Sequence, residues 1–221
     1  MRKLLACLAG VAMAVAVAQA DAKTPSDTLV IAKNIDDIIS LDPAQVFEFS
    51  GGEVSANIYD RITMYEPEDL KTLVGGVAES WSFSDGGKTI TLKLRPGQKF
   101  TSGNPVTADD VVFSLSRVVK LNQPPAFILT QFGWTKDNVG DNIKALDPLT
   151  VQVKILADFS PNLVLNAFSA GVGSVVDKKT VMAHEKDGDL GHDWLKTHSA
   201  GSGAFVLKSW KANESVVQSI R

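Results

Sequence analysis

The amino-acid sequence predicts a mixed α/β or α+β fold, and three observations carry that prediction. Runs of period two, such as "TITLKLR" at residues 89–95, alternate with runs whose apolar residues recur three and four apart, such as "TADDVVFSLSRVVK" at 107–120. Turns rich in Asp, Gly and Pro separate them. The resulting order is strand, helix, hairpin, helix, hairpin, helix, in which helices must cover sheets to bury both apolar faces.

The first residues set the compartment. Arg2 and Lys3 precede an apolar run at residues 4–18 and then Ala18-Gln19-Ala20, the pattern of a secretory signal peptide cleaved after Ala20. The run falls short of the ~20 apolar residues that a membrane-spanning helix needs. Cys7, the one cysteine, lies inside it, so the mature chain has none and cysteine chemistry and Cys-ligated zinc are excluded. An exported chain of about 200 residues without disulfides must rely on an apolar core, and it is long enough to build one. The chain has 22 basic and 25 acidic residues, and cleavage removes two of the basic ones. That balance argues against nucleic acid as a partner, and no basic amphipathic stretch would hold the chain on a membrane.

After a polar leader, "TLVIA" at 28–32 reads as a buried strand, and "KNIDDIISLDPAQVFEF" at 33–49 as an acidic loop. A helix follows in "SGGEVSANIYDRI", with Ser50 and Glu53 as a capping box and Val54 and Ile58 four apart. In "SDGGKTITLKL" at 84–94, Gly87, Lys88 and Thr89 match the end of a phosphate-binding loop, but Ser82 stands where its first glycine belongs. Two alternating runs around Asp85-Gly86-Gly87-Lys88 make a β-hairpin instead. Thr107 and Asp110 cap the next helix, whose Val111, Leu115 and Val118 share a face, with Arg117 and Lys120 placed to complement the dipole at its C-terminus. A second hairpin sets Ile143 and Ala145 against Val151, Val153 and Ile155 across Asp147-Pro148. A third helix spans 160–171, from Ser160-Pro161 to Gly171. Residues 177–188 read as a helix, and a short amphipathic piece surrounds Trp194 and Leu195. "SAGSGAFVLKSW" is a glycine turn feeding a strand, and "NESVVQSIR" opens its hairpin partner.

No Gly-x-Ser-x-Gly elbow occurs, and the Ser, His and Asp residues lack diagnostic spacing, so no catalytic residue is assigned and no enzyme is expected. His184, His192 and His198 cluster beside Glu185, Asp187 and Asp193, but none are four apart on one helix; they read as solvated, with no metal site. Asp36, Asp37, Asp42 and Glu48 concentrate in the acidic loop, either to recognise a ligand ammonium group or to satisfy their own backbone, as Asp42 before Pro43 would. At Ser50-Gly51-Gly52 a helix N-terminus could meet a ligand carboxylate or simply be capped. Phe127, Phe132 and Trp134 read as core before they read as ligand-stacking residues.

Five stretches, "SLDPA", "ANIYDRI", "VAESWSFSDGGKTITLKLRPGQKF", "GNPVTADDVVFSLSR" and "SAGSGAFVLKSW", in this order resemble the family 5 extracellular solute-binding proteins of ABC importers, of the oligopeptide, dipeptide and nickel type. The resemblance implies a two-lobed fold of periplasmic-binding-protein type II. Residues 1–20 would be the signal peptide, 21–56 and 177–221 parts of the first lobe, and 57–176 an inserted α+β subdomain. Family chains are more than twice this long, and the second lobe would follow Arg221, so the chain by itself should fold partly and bind solute weakly. The implied function is periplasmic capture of short peptides or peptide-like solutes for inner-membrane ABC permease subunits, with no cofactor and with ATP handled by other subunits. A metal chelate, an opine or an oligosaccharide are alternative ligands, and a secreted hydrolase is the rival class. Carried over by position, Phe49, Ser50 and Gly51 would face the ligand, with Ser202 a weaker candidate.

Overall fold

A computed structural model describes residues 24–221, and the predicted signal peptide lies outside them. Residues 24–33 belong to a separate unit. There Thr28 N donates to Pro25 O at 3.0 Å in a turn, while Leu29, Val30 and Ile31 are 84%, 68% and 71% exposed and form no strand. The predicted buried strand is therefore corrected: its β-branched residues have the propensity, but a strand exists only through a ladder with a neighbour, and this unit supplies none among the described residues.

From Asn34 the chain forms α1 (Phe49–Ile58), β1 (Thr63–Glu66), β2 (Asp69–Gly75), β3 (Ala78–Ser84), β4 (Thr89–Leu94) and α2 (Ala108–Leu121). Two short helices follow, α3 (Phe127–Thr130) and α4 (Val139–Asn142), then β5 (Ile143–Asp147) and β6 (Thr150–Lys154). The chain continues as α5 (Pro161–Ala167), α6 (Lys178–Met182), α7 (His192–Leu195), β7 (Phe205–Lys211) and β8 (Ser215–Ile220).

Both expected hairpins join one antiparallel sheet in the order β3-β4-β6-β5. Ser84 pairs with Thr89 around a turn in which Asp85, Gly86 and Gly87 all have positive φ, and Lys88 Nζ bonds Asp158 at 2.8 Å rather than facing an open phosphate slot. Ile90, Leu92, Val151, Val153 and Ile143 are buried with Val111, Leu115 and Val118 of α2 in one apolar cluster, as their spacing requires. The α2 capping box forms, Asp110 accepting from Thr107 N at 2.9 Å. Phe132 and Trp134 are buried, with Trp134 Nε1 donating to Lys154 O at 2.7 Å, whereas Phe127 is exposed. A second cluster gathers Ile58, Tyr59, Val176, Val181, Leu195 and Ala200.

The β1–β2 hairpin was not read from the sequence; its exposed second strand lacks a clean apolar alternation. The third helix stops at Ala167 instead of Gly171. The chain there turns back so closely that a Cβ on Gly173 would lie 2.0 Å from Phe168 O, which no continuing helix permits. The helix expected over 177–188 likewise ends at Met182, broken before Asp187 and Gly188, whose φ values are 52° and 83°.

Candidate functional site

Glu48 is the N-cap of α1, so Phe49 and not Ser50 opens the helix. The expected Ser50–Glu53 capping box is thereby corrected. Ser50 N instead donates to Asp37 Oδ2 at 3.1 Å and its hydroxyl donates to Asn34 O at 3.3 Å, so the acidic loop caps the helix from outside. Glu48 folds back over the same turn, accepting from Ile39 N at 3.2 Å and Phe47 N at 2.9 Å. A Cβ on Gly51 would meet Glu48 Oε1 at 2.6 Å and push that carboxylate aside, whereas Gly52 faces open space.

This arrangement determines the local chemistry. The helix N-terminus already has Asp37 and Glu48 beside it, so the protein's own carboxylates answer the positive end of the dipole and would repel a ligand carboxylate. Around them Phe49 is 92% exposed, Ile39 63% and Phe47 60%. Phe47 packs edge-on against Phe127 at 5.9 Å. An acidic rim around exposed apolar side chains suits a solute that carries an ammonium group and an apolar side chain. Phe49, Ser50 and Gly51 stand together here. Ser202 does not: it lies beyond the other end of α1, about 15 Å away at 1.5 Å rise per residue. Its buried hydroxyl donates to Asp60 Oδ2 at 2.9 Å, where burial pushes the Asp60 carboxyl up against the opposing effects of that bond and of Arg221. The flanking glycines are required by packing, since a Cβ on Gly201 would be 1.9 Å from Ile58 O.

Beneath the loop lies a group of side chains whose pairing was not read. Arg117, expected near the C-terminus of α2 as a complement to the helix dipole, is 1% exposed and grips Asp42 with both Nη atoms at 2.6 and 2.5 Å. His192 Nδ1 donates to Asp42 Oδ2 at 2.6 Å, which corrects its reading as a solvated histidine. Asp42 also accepts from Ala44 N at 2.9 Å, the local turn that was expected. Burial alone would raise this carboxyl, but the donors from Arg117 and His192, with the charge of Arg117, hold it below its ordinary value. His184 and His198 both stack on Trp194, with ring centroids 4.2 and 4.8 Å apart. Among the described residues no cluster of His, Cys, Asp and Glu could hold a metal ion. No described helix is long and apolar enough to cross a membrane.

Residues 72–219 match the family model described as bacterial extracellular solute-binding proteins, family 5 Middle. The chain belongs to this family. It is 33% identical over 201 residues to the probable D,D-dipeptide-binding periplasmic protein DdpA of Escherichia coli, covering 90% of this chain and 36% of that protein. It is 29% identical over 222 residues to the periplasmic oligopeptide-binding protein OppA of Salmonella typhimurium, covering 97% of this chain and 40% of the relative. Among solved structures, the unliganded open form of the periplasmic murein tripeptide binding protein MppA superposes with a TM-score of 0.69 at 26% identity, over 89% of this chain and 39% of the other. The fold is thus part of the two-lobed architecture of periplasmic binding proteins, and the chain spans well under half the length of these relatives.

Proposed function

We propose that this protein captures short peptides or peptide-like solutes in the periplasm and delivers them to the permease subunits of an ABC importer. The observation that carries the reading is the exposed Phe49 at the start of α1, flanked by Ile39 and Phe47 and rimmed by Asp37 and Glu48. A peptide N-terminus offers the matching ammonium group and side chain, and the family relatives are named for binding peptides. Phe49, Ser50 and Gly51 are the proposed contact residues; Ser202 remains the weaker one because its hydroxyl is taken up by Asp60. On this reading the protein binds its solute without turning it over, and its relatives are named as binding proteins. Export through a signal peptide cleaved after Ala20 belongs to the same reading. The division into an inserted subdomain at 57–176 and a first lobe made of 21–56 and 177–221 belongs to the same reading.

Calorimetric titration with di- and tripeptides, nickel–histidine, an opine and an oligosaccharide tests this. Micromolar or tighter binding of a peptide such as Phe-Ala to the full-length protein that includes the second lobe, weakened by N-acetylation, is expected. Binding of the sugar or the chelate with no heat from any peptide would refute the peptide assignment.

A further inference from the structure

We infer that Asp42, Arg117 and His192 form the positioning network of the segment that carries Phe49, Ser50 and Gly51. Asp42 is 0% exposed and Arg117 1%, so the pair is removed from solvent, and the third donor, His192, comes from α7. Arg117 Nε also donates to Leu190 O at 2.8 Å, which ties α2 to the turn before α7. Three stretches separated by 75 and 150 residues therefore converge on one carboxylate.

The convergence acts on the loop through the backbone of Asp42 and its neighbours. Ala44 N bonds the Asp42 carboxylate, while Gln45 N and Val46 N bond Asp42 O at 2.8 and 2.9 Å. Leu41 N bonds Lys196 O at 2.9 Å on the α7 side. The turn of residues 42–46 is thus wound directly on the ion pair, and it leads within two residues to Glu48, the N-cap of α1. A fully hydrogen-bonded carboxylate with a bidentate arginine admits one geometry, so it sets the direction in which Phe47 and Phe49 leave the body. The network touches no solute; it acts by holding the residues proposed to do so. As a statement about ligand presentation it rests on the proposed function, whereas the order that it imposes on the loop does not.

Amide hydrogen exchange on the whole protein separates positioning from general stability. His192→Leu removes the third donor and leaves the Arg117–Asp42 pair in place, so it folds even where Asp42→Asn does not. His192→Gln keeps a donor for Asp42, and Leu115→Ala is a control that weakens the core elsewhere. In His192→Leu the amides of Ala44, Val46 and Ser50 should exchange at least tenfold faster relative to those of β4 and β6, and His192→Gln should restore them. Leu115→Ala should speed the β4 and β6 amides without that excess in the loop. Equal acceleration of loop and core in His192→Leu would overturn the inference. In a parallel titration with Phe-Ala, His192→Leu should bind at least tenfold more weakly. If the wild-type protein fails to bind Phe-Ala at all, the proposed ligand is wrong, while the exchange ratio still decides whether the network positions the loop.

Discussion

Removing one charge from the Asp42–Arg117 pair should cost more than removing both. Asp42→Asn keeps the size of the side chain and an oxygen that can accept from Ala44 N, so the loss falls on the charge and on the second oxygen, which accepts from Arg117 Nη2 and His192 Nδ1. Arg117, 1% exposed, then keeps a buried cation with no anion, which costs about 3–5 kcal/mol. That is a large part of the ~5–15 kcal/mol typical of a domain. Asp42→Leu with Arg117→Met removes both charges and supplies apolar volume; it orphans Ala44 N, Leu190 O and His192 Nδ1, yet should be less destabilised than Asp42→Asn by about 1–4 kcal/mol. Urea unfolding at pH 7 with unchanged slopes measures both differences. The acid limb supplies a second measurement. Because the folded Asp42 carboxyl is held below 3.8, its contribution is complete above that value and is lost as pH falls through the lower folded value. Wild-type stability should therefore fall more steeply below about pH 4 than that of the double variant. A cost below ~1 kcal/mol for Asp42→Asn, or a double variant no more stable than the single one, would refute the reasoning.

The paired glycines of α1 should respond differently. Gly52→Ala, with nothing within 4 Å of the added carbon, should stabilise by about 0.5–1 kcal/mol, whereas in Gly51→Ala the same gain is offset by swinging the Glu48 carboxylate away from the exposed Ile39 N and Phe47 N, so thermal unfolding should show a smaller gain than for Gly52→Ala. Thr107→Ala should cost about 0.5–2 kcal/mol through the broken capping box, and an unchanged midpoint would show that Asp110 holds the turn alone. Phe49→Ala should leave stability within ~0.5 kcal/mol, since the ring is 92% exposed, and should weaken peptide binding in calorimetry; equal affinity would remove Phe49 from the site.

What was legible in the sequence was what depends on partners close in the chain. The hairpin at residues 84–94 follows from Asp85, Gly86 and Gly87 and from alternation on either side, and α2 from a Thr and an Asp three residues apart. "TLVIA" has an equally clear strand pattern but no ladder partner among the described residues of its unit, so its propensity has nothing to act on there. Arg117 could have been caught by period alone, because it falls three positions after buried Ser114 and next to buried Val118. A cation on that face needs a buried acid, but nothing local says that the acid is Asp42, 75 residues earlier.

The two capping patterns make the same point within one motif. Thr107-x-x-Asp110 and Ser50-x-x-Glu53 both satisfy the local rule, yet only the first forms. At Ser50 a carboxylate thirteen residues away bonds the helix amide, and the helix begins one residue earlier than the box requires. A local motif specifies structure only where no tertiary partner offers the same hydrogen bond in a better place. Here that competitor is the loop wound on Asp42, so the capping box fails at the same place where exposed aromatic residues and carboxylates collect. The mismatch between local rule and structure is therefore itself a pointer to the candidate site.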